Sequence, residues 1–235
     1  MGGAQGSSSA YRLSFTAGGL FLDSAPAVAA VYLRHVAAAH NQGEPGNPHA
    51  SRPEGVPPGA DPTPIWAGVR AEIQRDNLLQ TRTVSSSQRL SQELVRRLAT
   101  LSEPELHLLV DATATERGHL LWVAACRQYE FVADFAQEVV RERFLLMRPT
   151  LTAIDVDDFI ARKAVWHPEL DQLKPTTLRK VQTTLFQMMR QAGLMADDGD
   201  LTNVMLSPRV AHVLAERAPS DLRFFPNVDG RRGDS

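Results

Sequence analysis

The chain has 235 residues, 43% hydrophobic and 22% charged, with a formal net charge of -2. That suits one large or two small globular domains and excludes a general polycation, so any contact with nucleic acid must come from local basic patches. The single cysteine, Cys126, excludes an internal disulfide and a thiolate-built zinc site. The N-terminus lacks a basic segment followed by an apolar core, and together these features read as a cytoplasmic protein. Residues 17–33 are the most membrane-like stretch, but they are short and interrupted by Asp23 and Pro26.

Residues 1–10 are Gly/Ser-rich and read as disordered. "DSAPAVAAVYLRHVAAAH" predicts a helix capped by Asp23 or Ser24, with Val28, Val31, Tyr32 and His35 near one face. A Pro/Gly run over residues 41–63 predicts a long exposed loop. Thr63 with Pro64 opens a second helix to about Gln80, striped by Ile65, Val69 and Ile73. Ser85 with Gln88 reads as a capping box for a third helix, burying Leu90, Leu94, Leu98 and Leu101. Ser102 with Glu105 is another such box, and a long helical pattern follows from about Thr115 to Met147. Asp155 can cap a helix ending near His167, and a short turn over "PELDQL" follows. Lys174-Pro175-Thr176 opens a helix to Gly193, a glycine placed for a C-terminal cap. "LTNVML" alternates as a short strand, and "SPRVAHVLAER" closes the series as a small helix. The fold class is therefore all-α, mainly helical. The organisation is an N-terminal helical region over 11–150, a C-terminal winged-helix-like region over 151–226 and a disordered tail over 227–235.

Two segments carry basic charge. Arg75, Arg82, Arg89 and Arg96 recur every seven residues, a spacing that holds one face of a continuous helix with slow drift. The Ser-rich break between them favours two helices instead. Residues 64–100 hold six arginines against three acids, whereas residues 103–146 hold eight acids against four arginines. A solvated face laced by pairs such as Glu93 to Arg97 is one reading; a phosphate-facing surface is the other. The second segment runs from Lys174 to Gly193, with Lys174, Arg179, Lys180 and Arg190 and no acid. Short helix, tight turn, basic helix, turn and short strand is the order of a winged-helix unit, whose second helix enters the DNA major groove. Thr176 and Thr177 stand where a helix N-terminus can receive phosphate.

Sites for other chemistry are not found. His35 and His40 are five apart, the wrong spacing for a helical zinc pair. "DDGD" lacks the ligands that follow in a calcium loop, and there is no phosphate-binding glycine loop or GxSxG elbow. Cys126 reads as a small core residue.

The blocks "YRLSFTAGGLFLDSAPAVAAVYL", "DNLLQTRTVSSSQRLSQELVRRLATLSEPELHLL", "LLWVAACRQYEFVADFAQEVVRERF" and "LDQLKPTTLRKVQTTLFQMMRQAGLM" resemble, in order, the BrxA family of bacterial BREX phage-defence systems. The resemblance covers most of residues 11–226 and leaves the 41–63 loop unmatched. It implies an all-α protein with positive surfaces, similarity to the helical fold of the antitermination protein NusB, and double-stranded DNA binding without enzymatic activity. It names no catalytic residue. The expected DNA contacts, from charge and helix position, are Arg75, Arg82, Arg89, Arg96 and Arg97 in one layer. Lys174, Thr176, Thr177, Arg179 and Lys180 are expected in the other. Neither a metal nor a cofactor is expected. The expected partners are duplex DNA and other BREX subunits, not a membrane. Alternative readings are an adaptor joining BREX subunits and a binder of structured RNA.

Overall fold

Hydroxyl side chains fix where the helices start. In a computed structural model describing residues 10–41, 63–148 and 150–227, Thr63 accepts from the Trp66 amide at 3.4 Å and opens α2 (Pro64–Arg75). Thr83, rather than the expected Ser85, caps α3 (Val84–Leu98) by accepting from the Ser86 amide at 3.2 Å. Three reciprocal boxes follow. Ser102 with Glu105 opens α4 (Glu103–Val110), and Thr113 with Glu116 opens α5 (Ala114–Gln128). Thr152 with Asp155 opens α8 (Ala153–Ala164), so Asp155 sits three residues inside the cap it was expected to be. Each box satisfies two amides that a helix start otherwise leaves unpaired.

Helix α1 (Ala25–Asn41) packs on α2 and α4, and the Tyr32 and Trp66 rings stack at 4.1 Å. Helix α2 stops at Arg75, short of the expected Gln80, because Asn77 and Gln80 take left-handed backbone angles of +47° and +49°. Every residue of α5 from Gly118 to Cys126 is buried, which makes it the central helix. Its Trp122 Nε1 donates to the Phe224 carbonyl at 3.0 Å.

The expected single helix from Thr115 to Met147 is divided. Tyr129 is extended, at φ -127° and ψ 105°, between α5 and α6 (Glu130–Phe135). Its hydroxyl donates to Glu93 at 2.6 Å, an anchor on another helix that local periodicity does not encode. A π-turn over Ala136–Val140 then joins α6 to α7 (Arg141–Leu145). Phe131 and Phe135 each meet Phe159 of α8 edge-on at 5.3 Å.

Helix α9 (Pro175–Gln191) buries Val181, Leu185, Met188 and Met189. It ends as its glycine predicts: the Leu194 amide bonds the Met189 carbonyl and Gly193, at φ +67°, bonds the Arg190 carbonyl, both at 2.9 Å. The expected "LTNVML" strand reduces to one isolated bridge, Met195 with Leu201, next to a second between Thr150 and the preceding Asp200. Asn227 accounts for this, since its side chain binds both the amide and the carbonyl of Val204 and takes the place of a neighbouring strand. Helix α10 (Pro208–Ala215) closes the chain onto α4 and α5. One buried cluster runs from Tyr11 to Phe225, and all-α describes the result. The Gly/Ser-rich start, nearly all of the 41–63 loop and the tail after Asn227 lie outside the described residues.

Candidate nucleic-acid interface

The arginine heptad is dealt to three different environments. Arg75 is the last residue of α2, and its guanidinium pairs with the adjacent Asp76 through two bonds of 2.8 Å. Asp76 holds that cation's charge and in turn has its carboxyl lowered, by the Arg75 hydrogen bond first. Arg82 lies in the turn just before the Thr83 cap and is exposed. Arg89 is exposed on α3 and Arg96 is half-buried two turns on. Arg82, Arg89 and Arg96 make no salt bridge among the described residues.

Arg97 departs from the expected set of DNA contacts. Its side chain is 1% exposed and cannot meet phosphate. The guanidinium donates to Glu93 Oε1 at 2.7 Å, to the Gly19 carbonyl at 2.7 Å and to the Phe15 carbonyl at 3.1 Å. It also lies 5.2 Å from the centre of the Phe21 ring. The cause is distant in sequence. The N-terminal turn Ser14–Ala17 returns over α3 with its carbonyls inward, and a buried cation with five fixed donors satisfies them. The Glu93 to Arg97 pair expected on a solvated face thus exists, but in the core.

Helix α9 presents its cations differently. Thr176, Arg179, Lys180, Thr183, Gln187 and Arg190 are exposed and recur at three- and four-residue steps along one stripe, opposite the buried methionines. Lys174 stands exposed at the N-cap. Lys174, Arg179 and Lys180 make no salt bridge among the described residues. The first turn is a poorer anion seat than expected. Pro175 has no N–H, and the half-buried Thr177 donates its own back to the Lys174 carbonyl at 2.9 Å. The expected site stops at Lys180; counting the same spacing onward reaches Thr183, Gln187 and Arg190. Arg190 is only loosely held, 3.8 Å from the fully exposed Asp197.

Both basic helices brace the same N-terminal segment. Arg97 of α3 approaches Met188 Sδ of α9 at 3.7 Å, and Gln191 Oε1 accepts from the Leu20 amide at 2.7 Å. Helix α9 also crosses α5 closely at Gly118, where a Cβ would stand 2.6 Å from the Gln191 carbonyl oxygen.

Three further ion clusters were not legible as such. Arg127 bridges Glu105 and Asp221 at 2.6 and 2.7 Å, and Arg209 with Ser207 holds Glu116 at 2.5 and 2.6 Å. The Arg209 bond, first, pulls the Glu116 carboxyl far below its usual range. Lys163 spans Asp134 and Glu138. All three tie one element to another. Cys126 is buried and its thiol is pushed well up by that burial. Among the described residues there is no metal-holding group of three or more His, Cys, Asp or Glu side chains, and no helix long and apolar enough to cross a membrane.

The molecule is thus an all-α protein whose two braced helices carry cations with no salt bridge among the described residues. The BrxA family model matches residues 60–218, and the chain belongs to that family. A BREX protein BrxA of Escherichia coli O9:H4 (strain HS) is 26% identical over 163 residues, covering 68% of this chain and 76% of that one. A BREX protein BrxA of Paramagnetospirillum magneticum (strain ATCC 700264 / AMB-1) is 26% identical over 150 residues, covering 63% and 75%. The crystal structure of an uncharacterized protein from Magnetospirillum magneticum shares the fold, with a TM-score of 0.66 and 21% identity over 88% of this chain and 93% of that one.

Proposed function

We propose that this BrxA-family chain is a non-enzymatic, cytoplasmic component of a BREX system that holds duplex DNA, mainly through its phosphates, and works beside other BREX subunits. The observation that carries the reading is the set of cations with no acidic partner among the described residues. Arg82, Arg89 and Arg96 come from the α3 side, and Lys174, Arg179 and Lys180 from α9. The chain has a net charge of -2, so acids outnumber cations, yet none of the described acids meets these side chains. Leaving two helices unneutralised favours an anionic ligand that brings its own charge. Phosphate contacts carry little sequence information, so base preference is modest.

The helical order of α8, a short 3-10 turn over Pro168–Leu170 and α9 supports a winged-helix docking of α9, with the 194–202 turn as a very short wing. The test is anisotropy of a labelled random-sequence duplex with the pairs Arg89→Ala/Arg96→Ala and Arg179→Ala/Lys180→Ala. Each pair is expected to weaken binding about tenfold for any sequence. Unchanged affinity in both would end the assignment. It would turn the cations into a search image for an acidic protein surface.

A further inference from the structure

A cavity of about 420 Å³ opens between the last residue of α9, Gln191, and the turn over 78–80 that joins α2 to α3. The N-terminal segment braced by Arg97 and Gln191 forms its remaining wall. The cavity therefore lies between the ends of the two basic segments. Arg190 directly precedes Gln191, Arg82 follows Gln80 by two residues, and both arginines are exposed.

Its walls divide by chemistry. Phe21, Leu78 and Leu79 are apolar and half-buried. The Phe21 ring is backed by the buried Arg97 guanidinium, 5.2 Å from its centre, and Gly18 makes room for it: a Cβ there would stand 2.9 Å from Phe21 Cζ. Asp23, Gln80 and Gln191 supply polar atoms. Gln191 Oε1 accepts from the Leu20 amide at 2.7 Å, which fixes the carboxamide and leaves its Nε2 without a hydrogen bond among the described residues. The Asp23 carboxylate and the Gln80 carboxamide likewise make no hydrogen bond or ion pair among the described residues.

The backbone around this space is strained. Among the described residues four non-glycine positions take positive φ, and three belong to the cavity wall or its turn: Phe21 at +61°, Asn77 at +47° and Gln80 at +49°. Such angles are costly and persist where neighbouring bonds enforce them. The Phe21 carbonyl accepts from the Ser24 and Ala25 amides at 3.2 and 2.9 Å, and Asn77 Oδ1 accepts from the Thr81 amide at 3.0 Å. The walls are held apart rather than collapsed onto one another.

Apolar walls with a few unspent polar atoms define a small-ligand site. The setting selects the ligand. It has apolar faces and a polar edge, and the arginines on either side call for anionic groups attached to it. That describes a nucleobase on its phosphate backbone. A base stacked inside a duplex cannot reach a cavity, so the base must stand out of the stack. Resting on the DNA-holding role proposed above, we infer that this cavity receives one unpaired nucleobase of the bound DNA. Its face packs on Phe21 and Leu79, and its edge meets Asp23, Gln80 and Gln191 Nε2. Its flanking phosphates fall to Arg82 and Arg190. A carboxylate accepts from an exocyclic amino group, so adenine or cytosine enters in preference to thymine.

Anisotropy of the full chain with three otherwise identical duplexes tests this: one fully paired, one carrying a bulged adenosine, one carrying a bulged abasic residue. The last two share the extra backbone unit and differ in the base alone. The adenosine bulge is expected to bind at least about fivefold more tightly than the abasic bulge. Leu79→Trp fills the cavity and is expected to bring that ratio to one. Gln80→Gly removes a polar edge, suits the positive φ, and is expected to lower the ratio. Equal affinity for the two bulges, with paired-duplex binding that still depends on Arg89 and Arg96, overturns the inference and leaves the DNA-holding role standing. So does a preference that survives both substitutions. Saturable binding of free adenosine alongside equal affinity for the two bulges assigns the cavity to a free nucleoside and also overturns it. Absence of binding to all three duplexes overturns both readings.

Discussion

Arg97 Nε donates to Glu93 Oε1 at 2.7 Å with both side chains sealed from solvent, and the same guanidinium closes over the carbonyls of Phe15, Gly18 and Gly19. Removing one partner of such a pair leaves the other charge buried and alone. Arg97→Ala is therefore expected to cost about 3–5 kcal/mol. Arg89→Ala, on an exposed side chain, is expected to leave stability within about 0.5 kcal/mol. Denaturant melts of the two variants check this. Equal stability would mean that Arg97 does not clamp the N-terminal turn to α3.

Gly118 sets the distance between the central helix and α9. A methyl there would press on the backbone at Gln191 and Ala192, neither of which is a flexible side-chain end. Gly118→Ala is expected to destabilise by about 1–3 kcal/mol through overpacking. In thermal melts that appears as a fall of roughly 2–4 °C per kcal/mol. An unchanged melting temperature would show that the α5–α9 crossing yields easily.

Stability is expected to fall with acid in two stages. Burial lowers the His119 imidazole below its ordinary 6.5, against the opposing pull of Glu116. The unfolded chain then binds that proton first, and stability drops as pH falls below 6.5. Glu116 is lowered by Arg209 and Ser207, so its contribution is present above the ordinary 4.5 and is lost as pH falls below it. Melting temperature against pH for His119→Gln and Glu116→Gln separates the stages: each variant should lose one. A flat curve from pH 7 to 5 would contradict the His119 assignment, and a flat curve from pH 4.5 to 2.5 the Glu116 one.

The acidic turn beside α9 works against phosphate. Asp197 is fully exposed and stands near Arg190, with Asp198 next to it. Asp197→Asn/Asp198→Asn is expected to tighten duplex binding about two- to fivefold at low salt, with the gain fading as the Debye length shortens. Anisotropy at two salt concentrations reads it. Weaker binding would mean that the turn itself contacts the ligand.

Helix starts and stops were largely legible, because their determinants are local. The Ser102 to Glu105 box, Pro64 after Thr63 and the Gly193 stop all act within a single turn. The inward or outward sense of a charged side chain was not. Arg96 and Arg97 are neighbours on one helix, and only the return of Phe15–Gly19 across α3 decides which is buried. The break at Tyr129 has the same origin, a hydroxyl anchored to Glu93 from 36 residues away.

The measurement that bears most directly on DNA binding by the two basic helices is its salt dependence on duplex DNA, with single-stranded DNA and RNA hairpins alongside. Tight duplex binding is predicted, with a logarithm that falls linearly with log salt. Each phosphate neutralised by the protein adds roughly 0.9 to that slope, so Arg89→Ala/Arg96→Ala should make it shallower by about two. No binding to any of the three nucleic acids at low salt would contradict the phosphate-facing role of these cations.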